Sequence, residues 1–231
     1  MQPWEILDRA KAPDGTELVL ARRGEELVVR AGGRVLMSSR QHGSEEALAA
    51  LALKQVKAPR SVLLGGLGLG FALRATLDRL PPEAKVVVAE LVPELVGWNR
   101  GPAAQLAGRP LDDPRVRLQV GDVASRIAEA AKAYDAILLD LDNSPSSLVL
   151  PANDRLYGPK GVRACLAALR SGGVLAVWSA GPDDAYLKRL AAAGFESSQH
   201  HAPARGKAGG ARHVIFIGVK PAAGRTAKRA P

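Results

Sequence analysis

The sequence predicts an α/β protein: a mostly parallel sheet covered by helices on both faces, preceded by a small antiparallel β module. Three observations lead there. After Pro59, apolar runs rich in Val, Ile and Leu alternate with helical stretches, and strands apolar on both faces belong to sheets covered twice. Before residue 40, short β-like runs follow one another with only turn signals between them. Finally, 231 residues with 47% hydrophobic and 24% charged content suit one well-buried domain with a small appendage.

The first runs are "WEILDRA", "ELVLARR", "EELVVRA" and "RVLMSS", separated at Asp14-Gly15, Arg23-Gly24 and Gly32-Gly33. Such spacing reads as a meander of hairpins. A few strands bury little alone, so this module (residues 1–40) is expected to pack on the main domain or on a second subunit. From Ser44 the period changes: "SEEALAALALKQV" offers Ser44 as an N-cap and two glutamates in the first helical turn. It opens the main domain, residues 41–220. The strands expected there are "SVLLGG" (61–66), "KVVVAE" (85–90), "RVRLQVGD" (115–122), "YDAILLD" (134–140), "GGVLAVWSA" (172–180) and "ARHVIFIGV" (211–219). The last of these pairs with "FESSQHHAP" through the loop "ARGKAGG" as a terminal hairpin, placing an antiparallel strand in the sheet. Residues 221–231, ending "GRTAKRAP", form a basic tail without an apolar face, expected to be frayed and solvated.

Composition narrows the function classes. The net charge of +9 invites a nucleic-acid reading, but seven positive charges lie beyond Glu196 with no acid after it, leaving the body of the chain nearly neutral. No apolar run approaches a membrane span and the N-terminus lacks a signal architecture, so a cytoplasmic protein is expected. The lone Cys165 sits among helical apolar residues and reads as core packing. His200 and His201, without a nearby Cys, Asp or Glu, make a poor metal site, and none is expected. Trp98 and Trp178 are assigned to the interfaces of helices and sheet.

In an open α/β sheet, ligands bind beyond the carboxyl ends of the strands. The first such end is Gly66-Leu67-Gly68-Leu69-Gly70, a GxGxG turn that lets backbone approach a ligand closely and leads into a helix N-terminus. The second is Glu90, able to accept hydrogen bonds from ribose hydroxyls. The third is Gly121-Asp122, where Asp122 could receive an adenine amino group, and the fourth is Asp140. A dinucleotide fingerprint would place Gly or Ala at the sixth position of the turn, where this chain has Phe71 or Leu73, which argues against NAD.

These four strand ends together resemble the class I S-adenosylmethionine-dependent transferase pattern. The segments "VLLGGLGLGFALRATLD", "VVVAELVPELVGWNR", "LDDPRVRLQVGD", "YDAILLDLDNSP" and "LYGPKGVRACLAALRSGGVLAV" further resemble the spermidine synthase (polyamine aminopropyltransferase) family, over roughly residues 40–180. The resemblance implies a seven-stranded methyltransferase-like fold, a nucleoside sulfonium donor and commonly a homodimer. It assigns Gly66, Gly68, Leu69, Gly70, Glu90 and Asp122 to the donor, Asp140 to proton removal, and Asp142, Asn143, Tyr157, His42 and Glu46 to the acceptor. For Asp142 and Asn143 the plain alternative is a strand-end turn, for His42 loop polarity, and for Tyr157 simple packing.

The departures carry information too. Leu69 stands where the family has an Asp that holds the ammonium of the aminopropyl group, a charged hydrogen bond of ~1.5–3 kcal/mol. The family's Tyr-His-Glu segment corresponds to Ser44-Glu45-Glu46, so only Glu46 is kept. After the fourth strand, Asn143 replaces a second Asp and Pro145 comes one residue late. Fewer carboxylates weaken attraction to cationic substrates. The sequence therefore puts first S-adenosylmethionine-dependent methyl transfer to an unidentified small-molecule acceptor. Polyamine aminopropyl transfer from decarboxylated S-adenosylmethionine stands second, and a nucleoside- or RNA-associated protein without turnover is a third reading.

Overall fold

The computed structural model describes residues 2–141 and 155–222. Strands β1 (Glu5–Lys11), β2 (Glu17–Arg23), β3 (Glu26–Ala31) and β4 (Arg34–Ser38) form a four-stranded antiparallel sheet in that order. Gly15, Gly24, Gly32 and Gly33 supply the left-handed backbone its turns require. On the face carrying Leu18, Leu20, Leu27 and Val29, this sheet packs against Leu69, Phe71, Val92, Leu95 and Trp98 of the main unit. The Trp98 indole also donates to Asp8 on β1 at 2.8 Å, tying the small sheet to the main unit.

The larger sheet has seven strands in the order β10-β11-β9-β8-β5-β6-β7. β5 (Ser61–Gly65), β6 (Lys85–Glu90), β7 (Val116–Val120), β8 (Tyr134–Leu139) and β9 (Leu169–Ser179) run parallel, while β11 (Arg212–Val219) is antiparallel to both β9 and β10 (Glu196–Pro203). Side chains alternate between the faces with the period of two that strands impose. Val62 and Leu64 meet Leu48, Ala52 and Leu73, from helices α1 (Gly43–Leu53) and α2 (Phe71–Leu77). Leu63 and Ile137 meet Ile127, Val162, Cys165 and Leu190 on the other face, from α4 (Val123–Glu129), α5 (Pro159–Ala168) and α6 (Asp184–Ala193). Helix α3 (Pro93–Arg100) follows β6 and joins the cluster beneath the small sheet.

Two details differ from expectation. The first main helix is capped by His42 rather than Ser44, with no side-chain cap bond. Ser44 lies inside α1 and is buried, because its hydroxyl faces inward to accept from Trp178 Nε1 at 3.1 Å and to share a 2.8 Å bond with His213 Nδ1. Strand β9 also begins at Leu169, earlier than the glycine pair suggested. Cys165 is buried in the core, where burial pushes its thiol up to about 12. The basic tail beyond Ala222 lies outside the described residues, and no described helix is long and apolar enough to cross a membrane.

Candidate functional site

Sheet order decides which strand ends meet. Since β8, β5, β6 and β7 are parallel neighbours, Asp140, the Gly66–Gly70 turn, Glu90 and Asp122 emerge in one row at their carboxyl ends. Backbone bonds continue the ladder past each strand: Asp140 N donates to Gly65 O (2.9 Å), Gly66 N to Ala89 O (2.9 Å) and Gly121 N to Glu90 O (2.8 Å). At Gly66, with φ of +90°, any Cβ would collide with the carbonyl of Asp140. Only glycine lets the turn lie against that aspartate.

Glu90 is 5% exposed, and its two oxygens accept from Leu67 N and Val92 N, each at 2.8 Å. Burial raises its carboxyl from the ordinary value, against the pull of those amides. It thus shapes the glycine turn as well as facing the row. Asp122 caps α4, accepting from Ala124 N at 2.8 Å. Beside these carboxylates stand two large apolar side chains left open, Leu91 (49% exposed) and Val120 (56%). Exposed apolar surface next to acceptors for hydroxyl and amino groups fits a flat heterocycle on a sugar, so the residues present suit a nucleoside donor.

Two neighbours of the turn gave no sequence signal. Asn99, buried on α3, donates through Nδ2 to Gly68 O (2.8 Å) and Leu95 O (2.9 Å), bracing the loop from below. Met37 of β4 brings its sulfur to 3.5 Å from where a Cβ on Gly68 would stand, so the small sheet forms part of the wall.

No family model matches the chain. It is 31% identical over 170 residues to a polyamine aminopropyltransferase of Mycobacterium tuberculosis, covering 72% of this chain and 31% of that protein. A polyamine aminopropyltransferase of Korarchaeum cryptofilum is 28% identical over 155 residues, covering 66% of this chain and 46% of that one. Matches thus span about a third to a half of these relatives' length. Among solved structures, spermidine synthase from Thermotoga maritima superposes with a TM-score of 0.75 at 19% identity, over 93% of this chain and 72% of that one. These likenesses support a spermidine synthase-like family for the chain.

The remaining candidates fall into separate groups. Leu69 requires a correction: at 3% exposure its side chain is packed among Phe71, Leu95 and Trp98 beneath the small sheet, so only its backbone belongs to the turn. His42 and Glu46 line a cavity of about 620 Å³ together with Glu25, Arg40, Phe71 and Arg74. There the imidazole stacks on Phe71 (centroids 3.9 Å apart) and its Nδ1 lies 2.9 Å from Glu46 Oε1. Asp140, Glu90 and Asp122 are not in that lining. Tyr157 is buried in the core and meets Tyr186 edge-on at 5.8 Å, the geometry of packing rather than of an acceptor contact. Asp142 and Asn143 lie outside the described residues. Among the described residues no group of three or more His, Cys, Asp or Glu could hold a metal ion.

Proposed function

We propose that this protein transfers an aminopropyl group from decarboxylated S-adenosylmethionine to an amine acceptor. The observation that carries the reading is the row of Asp140, the glycine turn, Glu90 and Asp122 across four adjacent strand ends. The names of the relatives support it over the methyl transfer that the sequence put first. So does the burial of Leu69, which removes the argument for an intact donor: a side chain turned into the core neither holds an ammonium nor makes room for a carboxylate.

In this reading Glu90 and Asp122 hold the nucleoside between Leu91 and Val120, and the glycine turn lies against its sulfur side. The donor supplies a carbon already activated by the sulfonium, which departs as a neutral thioether. What remains for the chain is to place the acceptor nitrogen in line and keep it unprotonated. Asp140, fixed against Gly66 through its backbone, is the carboxylate set to take the amine proton. His42, Glu46 and Glu25, in the cavity beside the turn, are set to receive the acceptor's other charges.

Calorimetric titration with decarboxylated and intact S-adenosylmethionine tests the reading, with turnover followed by mass spectrometry. We expect the decarboxylated donor to bind at least tenfold tighter. Asp140→Asn should lower turnover by ~10²-fold or more while leaving donor affinity within a few-fold. Failure of both donors to bind would end the enzyme reading.

A further inference from the structure

The β10–β11 hairpin forms one edge of the large sheet, and its loop is fastened to the start of α1. Gly43 N donates to Ala204 O at 2.8 Å, and a Cβ on Gly43 would collide with the backbone of Gly206, so no side chain separates loop from helix. At the next residue, Ser44 joins the same helix start to Trp178 at the end of β9 and to His213 at the start of β11. The loop has a fixed shape of its own: Ala204 N donates to Ala211 O (2.8 Å), Arg205 N to Gly209 O (2.9 Å) and Gly209 N to Gly206 O (3.0 Å).

From this rigid loop project Arg205, Lys207 and Arg212, all exposed and all without an ion-pair partner among the described residues. Several other arginines are matched, Arg22 with Glu5, Arg74 with Asp78, Arg115 with Asp113 and Arg170 with Asp135, while Arg34, Arg100, Arg117, Arg155 and Arg163 also lack an ion-pair partner among the described residues; what sets the loop apart is three such cations within eight residues. The sequence holds no acid after Glu196 to balance the three. Three unmatched cations beside the helix that carries His42 and Glu46 would repel a plain diamine, which is positive at both ends. They suit a molecule that brings a negative charge of its own.

We infer that the acceptor carries an anionic group, a carboxylate or phosphate, in addition to its amine, and that Arg205, Lys207 and Arg212 receive it at the mouth of the site. This deepens the transfer proposed above and rests on it. The placement is electrostatic, so binding should weaken as salt rises.

The test compares putrescine, its carboxylated counterpart ornithine, and phosphoethanolamine as acceptors for the full chain and for the variant Arg205→Ala/Lys207→Ala/Arg212→Ala. Calorimetry gives binding without turnover, and kinetics with decarboxylated S-adenosylmethionine give KM and kcat. One anionic amine should be preferred over putrescine at least tenfold in kcat/KM, ornithine pointing to a carboxylate and phosphoethanolamine to a phosphate. In the triple variant its KM and Kd should rise about tenfold with kcat unchanged. If the decarboxylated donor does not bind yet an anionic amine binds through the three cations, the transfer falls and the anion site stands. A preference for putrescine, an anionic-amine Kd indifferent to the substitutions, or capture of an RNA oligonucleotide through these residues with no discrimination among amines would overturn the inference.

Discussion

Replacing Leu69 by aspartate would restore the residue type the family pattern calls for, yet the carboxylate would be buried beneath the small sheet among Phe71, Leu95 and Trp98. An uncompensated buried charge costs roughly 3–5 kcal/mol. Leu69→Asp is therefore expected to lower stability by about that amount in urea denaturation without tightening the decarboxylated donor. Unchanged stability with tighter binding would show instead that the side chain at 69 faces the ligand. Glu90 follows the opposite logic, because here a carboxyl is buried with both oxygens matched by amides. Its raised pKa means that folding favours the protonated form. The contribution is fully present below the unfolded value and is lost as pH rises through the folded one. On the proposed reading, a donor-binding carboxylate is thus kept at some cost to stability near neutrality.

Arg115 and Asp113 join elements that the sheet alone leaves loose. The guanidinium pairs with Asp113 at 2.7 Å and also donates to Leu80 O at 2.9 Å, binding the connection after α2 to the entrance of β7. Hydrogen bonding from Arg115 lowers the Asp113 carboxyl to about 2. The depressed value fixes the sign: this pair stabilises the fold above the ordinary carboxylate range, and the stabilisation is lost as pH falls from about 4 towards 2. Asp113→Asn should cost ~1–2 kcal/mol near neutrality and roughly half of that or less by pH 2.5, where the native carboxyl begins to take up its proton, a difference that unfolding curves at the two pH values will read. A constant difference across pH would refute it. The strands and their acidic ends were legible because apolar runs ending in Gly, Glu or Asp recur at regular intervals. The partners of Ser44 were not, since Trp178 and His213 lie far along the chain and no periodicity links them. Nor could spacing reveal which way Leu69 points, because a glycine on either side frees the backbone to turn its side chain to either face.

The two sheets act as one body through the cluster between them. Removing residues 1–38 would uncover Leu69, Phe71, Val92, Leu95 and Trp98 at once and take Met37 from the glycine turn. The truncated chain is expected to bind a hydrophobic dye and to lose its sharp near-UV circular dichroism. A cooperative transition with wild-type donor affinity would show that the small sheet is dispensable. Sequence foresaw that this module must pack on something, because hairpins bury little alone, but not that it would contribute a wall of the site. The parallel pairing of β5 with β8, which sets Val62 opposite Ala136, also governs timing. Gly66 cannot meet Asp140 until everything between them has been synthesised and the intervening β6 and β7 have swung to the far side. Such distant pairing is closed late, after local helices and hairpins have formed. During synthesis the glycine turn is therefore made well before its aspartate, and the row of strand ends is complete only once β8 has paired with β5.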